Sequence, residues 1–424
     1  MFASLIVPLL LASQSQQPLD SVTVTRVLSQ LRASDSIVCA LAGQALTNYG
    51  GWWGWNHSEP GMPMPRPMPT PMPMPGGGGG GWHIGFHERS HDMDPAVLRA
   101  FRAVVRDDNR CVRNIAVRVL GNHGGSGAYE LFLSLLRDAR ADLRESGALG
   151  LGELEDSRAI NPLGDALSGD ASPQVRMTAA WALGEIEEKV AIDPLAHALN
   201  DRSPEVRRTA AWALGQIEDK SAVRTLSTAL DDSDVEVRLA AVWALGEIED
   251  ASAVSVLVAG TKDRDPRVRQ ATAWALGEIE SGLAITPLQT LVRDPSIEVR
   301  KTALWALGEI EDRSAVPLAA GALKDSDPEV RVLAAWALGE IEDASAVEPL
   351  LAALKDSDID VRATAAWALG EIESPRARAG LVAAQRDESG SVRRAATWAL
   401  RQISDNDDDN DVHVHVRPTW KVKP

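Results

Sequence analysis

The stretch AAWALGEIED at residues 334–343 decides the fold, because near-copies of it recur along most of the chain. Residues 210–219 repeat it with one change, Gln216 in place of Glu. A tryptophan returns every 31 residues, at Trp181, Trp212, Trp243, Trp274, Trp305, Trp336, Trp367 and Trp398. A fixed period of this length indicates an array of structural repeats.

Weaker copies of the pattern precede the tryptophan-bearing ones. RVLGN (118–122) and LGLGELED (149–156) keep the frame without Trp, and VCALAGQAL (38–46) keeps it with Gln44 in the Trp position. The chain therefore contains about eleven units. Its 424 residues exceed what one hydrophobic core normally reaches, which is about 250–300 residues, and a repeat array accounts for the excess.

Each unit has the pattern of two helices joined by a turn, as residues 343–373 illustrate. The first helix reads AVEPLLAAL, the turn reads KDSD, and the second helix reads IDVRATAAWALGEIE. Asp358 is placed to cap the second helix, and in the preceding unit Asp327 is followed by Pro328, which suits a first helical position. Such a pair cannot bury its apolar face alone, so the units are predicted to stack into an all-α, right-handed α-solenoid.

The Asp-Pro-x-Val-Arg turn, the AAxALG helix and the AVxPL helix together resemble HEAT-like repeats of the short type, which also occurs in phycobilin-lyase-like proteins. The resemblance covers about residues 93–404 and a fragment before them. It implies a non-catalytic scaffold that binds another protein, with a lyase-like accessory subunit as a more distant alternative. The expected organisation is a signal peptide (1–15), a first partial repeat (16–46), a low-complexity insertion (47–92), the repeat array (93–404) and a tail (405–424).

Two charged positions recur in every Trp-bearing unit. An Arg lies five residues before each Trp and an Asp eleven residues before it. They resemble the Asp–Arg ladder that joins neighbouring HEAT units, and hydrogen-bonded charge pairs suit such turns. The residues are Arg176, Arg207, Arg238, Arg269, Arg300, Arg331, Arg362 and Arg393 with Asp170, Asp201, Asp232, Asp263, Asp294, Asp325, Asp356 and Asp387.

The tryptophans allow two interpretations. On a helical wheel they lie opposite the apolar stripe of the second helix, so stacked helices would form a concave ladder of indoles and carboxylates for a partner. The partner-binding candidates are the eight Trp residues together with Glu247, Glu278, Glu309 and Glu340. Alternatively, the Gly that lies three residues after seven of the eight Trp residues, and that costs about 1 kcal/mol relative to Ala, leaves space for the ring of an adjacent unit. Both can hold at once, with ring edges packed and faces exposed.

Composition narrows the class of partner. The formal charge is −17, from 43 Lys and Arg against 60 Asp and Glu, so a phosphate backbone would be repelled and nucleic acid is excluded as a partner. A basic protein segment is the preferred ligand, and a glycan stacked on Trp is an alternative. Acid–base catalysis needs two carboxylates in distinct environments of one pocket, whereas similar glutamates recur along this array, so an enzyme is not expected.

The N-terminus predicts export. The apolar run of residues 2–12 is too short to span a bilayer but fits a signal peptide, although no Lys or Arg precedes it. The expected location is the periplasm or cell envelope, or the cytoplasm if this run is a buried helix instead. No other segment suits a membrane span. Cys39 and Cys111 could pair in an exported protein, but small apolar core residues are the commoner role of Cys on helices.

The insertion at 47–92 supports a second functional hypothesis, metal handling. It combines a Gly/Trp-rich start, an alternating Met–Pro run and a His cluster. Thioethers suit Cu(I), and His residues four apart share one face if helical, so Cu or Zn would be the cofactor. The candidate ligands are His83, His87, His91, Met62, Met64, Met72 and Met74. The alternative is a disordered linker with no metal and no cofactor. The tail after residue 405 is acidic and then basic, and is expected to cap the last unit.

Overall fold

The computed structural model describes residues 20–32 and 93–405, and these residues form helices, turns and loops without a strand. No helix among them is long and apolar enough to cross a membrane. The expected signal peptide, the insertion and the part of the tail after residue 405 lie outside the described residues. The described residues form two compact units. Residues 20–32 and 93–217 belong to the first, and residues 218–405 belong to the second.

The helices have the lengths expected of two-helix repeats. The first unit contains α1 (Ser21–Leu31), α2 (Pro95–Arg102), α3 (Arg110–His123), α4 (Ala128–Leu136), α5 (Ala141–Glu153), α6 (Ile160–Gly169), α7 (Pro173–Glu185), α8 (Ile192–Ala198) and α9 (Pro204–Gln216). The second unit contains α10 (Val223–Ala229), α11 (Val235–Glu247), α12 (Ala253–Leu257), α13 (Pro266–Glu278), α14 (Ile285–Leu291), α15 (Ile297–Glu309), α16 (Val316–Ala322), α17 (Pro328–Glu340), α18 (Val347–Ala353), α19 (Ile359–Glu371), α20 (Arg378–Ala384) and α21 (Gly390–Asp405).

Within each unit the second helices of successive repeats pack side by side. In the first unit α3, α5, α7 and α9 pack in this order, and in the second unit α11, α13, α15, α17, α19 and α21 do the same. Each also packs against the first helix of its own repeat, as α18 does against α19. The predicted all-α solenoid of stacked helix pairs is therefore confirmed.

Local sequence explains where the second helices begin. The side chain of Asp327 accepts hydrogen bonds from the backbone N–H groups of Glu329 and Val330, and Asp358 caps α19 in the same way. Pro328 occupies the first helical position, where no intrahelical N–H bond is lost. The apolar stripe expected from the wheel forms the core, since Val330 and Leu338 are fully buried.

The Arg–Asp staple, the pairing of the recurrent Arg of one repeat with the recurrent Asp of the next, links neighbouring repeats. Arg300 donates from Nε and Nη2 to the two carboxylate oxygens of Asp325, at 2.9 and 3.0 Å. Its Nη1 donates to the backbone carbonyl of Asp294 at 2.9 Å. The pairs of this kind are Arg144–Asp170 and Arg176–Asp201 in the first unit and Arg238–Asp263, Arg269–Asp294, Arg300–Asp325, Arg331–Asp356 and Arg362–Asp387 in the second.

The staple is also an electrostatic feature of the fold. Hydrogen bonds from the paired guanidinium hold the pKa of Asp170, Asp356 and Asp387 below the ordinary value. The same Asp accepts a backbone N–H two residues later, as Asp356 does from Asp358 at 2.8 Å. One carboxylate therefore orders its own turn and joins it to the preceding repeat, and the structural role expected for both residues is confirmed.

Cys111 takes part in a disulfide bond. It lies in the first turn of α3. The chain has one other cysteine, Cys39, which lies outside the described residues. Of the two roles that the sequence allows for Cys111, disulfide pairing and a small apolar core residue, the structure shows pairing.

We expect Asp294→Ala to lower the free energy of unfolding by about 2–3 kcal/mol, because it leaves the largely buried guanidinium of Arg269 without its carboxylate. Urea denaturation followed by circular dichroism measures the change. Asp231→Ala is the matched control, since Asp231 is exposed in an equivalent turn. Equal losses in the two variants would contradict a specific role for the staple.

Candidate functional site

The tryptophans lie on the second helices, and most of each ring is buried. Trp305, Trp336 and Trp398 are half-buried. The others keep between 5% and 8% of their surface exposed, and they are Trp181, Trp212, Trp243, Trp274 and Trp367.

A glycine of the preceding repeat makes room for the ring. A Cβ added at Gly308 would lie 2.5 Å from Cζ3 of Trp336, and one added at Gly277 would lie 2.8 Å from Cζ3 of Trp305. Gly184 faces Trp212 in the same way within the first unit. Packing of each Trp into the space left by an adjacent repeat's Gly is therefore confirmed for these pairs. A contact between the Trp residues and a partner stays a prediction, carried by the half-buried rings.

The residue four positions before each Trp is more buried than the helical wheel indicated. Leu239 and Ala363 are 5% and 2% exposed, and Lys301 is half-buried. The adjacent second helix covers this side, which a wheel drawn for one isolated helix does not show. Lys301 donates from Nζ to Glu329 of the next repeat at 2.7 Å. The wheel places this position on the Trp side, opposite the apolar stripe, which predicts a surface site, and that prediction is wrong at Leu239 and Ala363.

A glutamate four residues after each Trp ends the second helix in most repeats. Glu247, Glu278 and Glu340 are half-buried at these helix ends, and Glu309 is exposed. Gln216 and Gln402 replace it in two repeats. A carboxylate at a helix C-terminus lies at the negative end of the helix dipole, so this position is electrostatically unfavourable for the fold.

The surroundings of these carboxylates favour the protonated form. Burial, followed by the charges of Glu247, Glu249 and Glu309, raises the pKa of Glu278 to about 7. In the first unit, burial and the charge of Glu153 raise the pKa of Glu185 to about 7. Partial desolvation by the neighbouring helix ends, followed by the charges of Glu340, Glu280 and Glu311, also raises the pKa of Glu309, although its side chain is partly exposed, and a hydrogen bond from the Trp305 side chain acts in the opposite direction. Carboxylates of neighbouring repeats are thus close enough to repel one another.

A second row of glutamates follows two residues later, and the sequence analysis missed it. Each of these residues has a backbone φ between 47° and 53°, in the left-handed region. Gly or Asn normally takes this position after a helix, because a Cβ there is strained. The recurrence of Glu where Gly is expected was the signal available in the sequence. The residues are Glu155, Glu187, Glu218, Glu249, Glu280, Glu311, Glu342 and Glu373.

In the second unit the two rows together form what we call the carboxylate strip. The strip consists of Glu247, Glu249, Glu278, Glu280, Glu309, Glu311, Glu340, Glu342, Glu371 and Glu373. Carboxylates form charge-assisted hydrogen bonds with the cationic groups of Lys and Arg. Among the described residues, no group of three His, Cys, Asp or Glu is arranged to hold a metal ion. The metal candidates His83, His87, His91, Met62, Met64, Met72 and Met74 lie outside the described residues.

The repeats match a known family. HEAT repeats match residues 129–203, 160–235, 192–277, 223–295, 285–357 and 347–411. These overlapping matches cover more than half of the chain, so the protein belongs to the HEAT-repeat family. A comparison with curated proteins finds no sequence match.

Solved structures with the same kind of fold include proteins that bind other proteins. A structure of Kap95p bound to RanGDP has a TM-score of 0.55 at 15% identity and covers 75% of this chain and 51% of that one. A Kap95:Nup1 complex has a TM-score of 0.54 at 14% identity, with 75% and 52% covered. An engineered protein has a TM-score of 0.42 at 22% identity, with 72% and 98% covered. The chain spans about half the length of the Kap95 chains. At these identities the likeness shows the fold alone.

Gly308→Ala is expected to lower the free energy of unfolding by about 1–3 kcal/mol, because the added methyl overlaps the Trp336 ring. Urea denaturation measures the loss. Gly321→Ala in α16 is the matched control: nothing lies within 4 Å of an added Cβ there. Helix propensity should make that variant more stable by up to about 1 kcal/mol. A Gly308→Ala variant as stable as the Gly321→Ala variant would contradict the interlock of Gly and Trp.

The carboxylate strip should make stability fall as pH rises. Because the pKa of Glu278 is raised from 4.5 to about 7, its contribution is complete below pH 4.5 and is lost as pH rises through about 7. Glu278→Gln should reduce the difference in unfolding free energy between pH 4.5 and a pH above 7, as measured by urea denaturation. Asp360→Asn, at an exposed carboxylate of the same unit, is the control. An undiminished pH dependence in Glu278→Gln would show that Glu278 is not the source.

Proposed function

We propose that this HEAT-repeat protein is a non-catalytic scaffold whose carboxylate strip binds a cationic segment of a partner protein. One observation carries the proposal, namely the glutamate with positive φ that follows the end of the second helix in repeat after repeat. The fold of the family supports a scaffold role, since stacked repeats offer extended surfaces to partners.

The backbone conformation at these positions disfavours glutamate. A residue with a Cβ costs roughly 1–2 kcal/mol in the left-handed region, which Gly avoids. A negative charge just beyond a helix C-terminus costs about 0.3–1 kcal/mol more through the helix dipole. Glu280, Glu311 and Glu342 meet both costs and are exposed. The recurrence of Glu at a position that the backbone disfavours supports a binding role for these carboxylates.

The spacing of the strip predicts the form of the partner. Packed helices lie about 8–10 Å apart, so successive pairs of carboxylates follow at about that interval. An extended peptide advances about 3.3 Å per residue and therefore covers one repeat with about three residues. A segment with Lys or Arg at every third residue would place one cation against each pair of glutamates. Trp305 and Trp336, which are half-buried, add apolar and cation–π contact through the part of each ring that stays exposed.

Export is part of the same proposal. The apolar run of residues 2–12 fits a signal peptide, and a disulfide bond at Cys111 fits an oxidising compartment. The partner would then be a protein of the periplasm or cell envelope.

Binding of synthetic peptides tests the function. A fluorescent peptide with Lys at every third residue should bind at least tenfold more tightly than a peptide of identical composition with its Lys residues clustered. Glu280→Gly with Glu311→Gly should weaken that binding by about tenfold or more, because two carboxylates leave the strip. The same double variant should be more stable to urea than the parent, since Gly removes the backbone strain. Fluorescence anisotropy measures affinity and circular dichroism measures stability.

The matched control removes the same charge elsewhere in the second unit. Asp231→Asn with Asp360→Asn changes two exposed carboxylates away from the helix ends that form the strip. Equal loss of binding in both double variants would show that binding depends only on the net charge of the protein. That result would contradict a binding site at the carboxylate strip. Equal affinity for the spaced and the clustered Lys peptides would contradict binding of an extended peptide along the strip.

A further inference from the structure

The last second helix, α21, differs from the others at the position that meets a following repeat. In the repeat before it, Gly370 leaves room for the next Trp, since an added Cβ would lie 2.5 Å from Cζ3 of Trp398. The equivalent residue of α21 is Arg401, three residues after Trp398. A Cβ at this position would overlap a further Trp, as it would at Gly370, so a repeat of the same kind cannot stack there in the same way.

The Arg–Asp staple is also incomplete at α21. Arg362 is paired with Asp387 of the next repeat at 2.9 Å. Arg393 holds the equivalent position and keeps the backbone half of the arrangement, donating from Nη1 to the carbonyls of Asp387 and Glu388 at 2.7 and 2.8 Å. No carboxylate among residues 20–32 and 93–405 forms an ion pair with Arg393. Its remaining guanidinium donors therefore lack the acceptor that every stapled Arg has.

These residues share one surface, which we call the end face. It is an open hollow lined by Gly390, Arg393, Arg394, Thr397, Trp398 and Arg401. The three arginines are exposed, and none is ion-paired to a carboxylate of the described part of the chain. Trp398 is half-buried. A compact set of three cations beside an indole is unusual for a chain with a net charge of −17.

We propose that the end face binds the acidic segment of residues 407–411 of the same chain, which completes the staple of the last repeat. This segment contains Asp407, Asp408, Asp409 and Asp411 and begins two residues after α21 ends at Asp405. Arg guanidinium groups and carboxylates form short, charge-assisted hydrogen bonds. The surface and the segment therefore match in charge, and they are adjacent in the chain.

Chain geometry allows the contact without strain. The helix rises about 1.5 Å per residue, so Arg393 lies about 18 Å back along α21 from its last residue. Six extended residues after Asp405 reach about 20 Å. A segment that reverses direction at residues 406–407 and then runs antiparallel to α21 covers about 13 Å of this distance with residues 408–411, and the long arginine side chains reach across the rest.

A second copy of the chain fits the end face less well. In the staple, the carboxylate comes from a residue eleven positions before the Trp of the following repeat. The first unit of the sequence has Gln44 in the Trp position, and eleven residues before it stands Ala33. A copy stacked by its N-terminal repeat would therefore bring no staple carboxylate to Arg393.

Disulfide trapping in the full-length protein tests the contact. Thr397→Cys with Asn410→Cys keeps all four Asp residues of the segment, and mild oxidation should join the two new thiols within one chain. Mass spectrometry of proteolytic fragments identifies the product. Thr228→Cys with Asn410→Cys is the matched control, since Thr228 is exposed on α10, a first helix, and should not react.

Hydrogen exchange supplies a second readout that introduces no cysteine. Changing Asp407, Asp408, Asp409 and Asp411 to Asn in the full chain should speed amide exchange in residues 390–405 about tenfold. Added salt should also speed this exchange in the parent protein, because it screens the contact between Arg and Asp. Changing Arg417, Lys421 and Lys423 to Gln alters the same tail and should leave that exchange unchanged.

The two experiments distinguish between the candidate occupants of the end face. An intramolecular product together with Asp-dependent protection supports the proposal. A product that joins two chains would overturn it in favour of a second copy. Absence of a product with unchanged exchange would overturn it in favour of an end face that is bare or covered by another protein. None of these outcomes bears on peptide binding at the carboxylate strip, so the two proposals fail independently.

Discussion

Close approach between a glycine of one repeat and an indole of the next is the contact on which the array depends. Gly in a helix interior costs about 1 kcal/mol relative to Ala, and the fold accepts this cost because a Cβ at Gly277 or Gly308 would overlap the following Trp. A Trp buries on the order of 150–250 Å² of surface, which is a large contribution for one side chain. The indole therefore acts between repeats, and the 31-residue period keeps each Gly opposite the next ring.

The Arg–Asp staple holds the other end of the same helices. It orders the turn, caps local backbone groups and joins one repeat to the next through a single carboxylate, as Asp325 does with Arg300. The Gly–Trp contact near the C-terminal half of each second helix and the staple near its N-terminus constrain neighbouring helices at two points. Two separated contacts fix both the distance and the relative orientation of successive helices, which explains why the repeats within each unit are so uniform.

The surface proposed to bind a partner is formed by residues that take part in neither the Gly–Trp contact nor the Arg–Asp staple. Position +3 after each Trp is reserved for Gly and position +5 for a mostly buried Ile, whereas the Glu residues at +4 and +6 serve neither contact directly. The fold raises the pKa of Glu278, so the ionised carboxylate destabilises the folded state. Glu280 adopts a strained backbone, which also opposes folding to a modest degree. The same reasoning applies at the last repeat, where Arg401 replaces the Gly that packing no longer requires.

The sequence by itself determined the local features of this protein. Its period defined the repeats, the Asp and Pro residues of the turns defined the helix starts, and the recurrent Arg and Asp identified the staple. The tertiary structure decided which repeat each residue serves: Arg300 binds Asp325 of the next repeat, and Gly308 faces Trp336 there. It also decided the burial of Leu239, the raised pKa of Glu278 and the left-handed backbone of Glu280. A helical wheel describes one helix in isolation, whereas burial, charge coupling and backbone strain depend on the distance to the neighbouring helix.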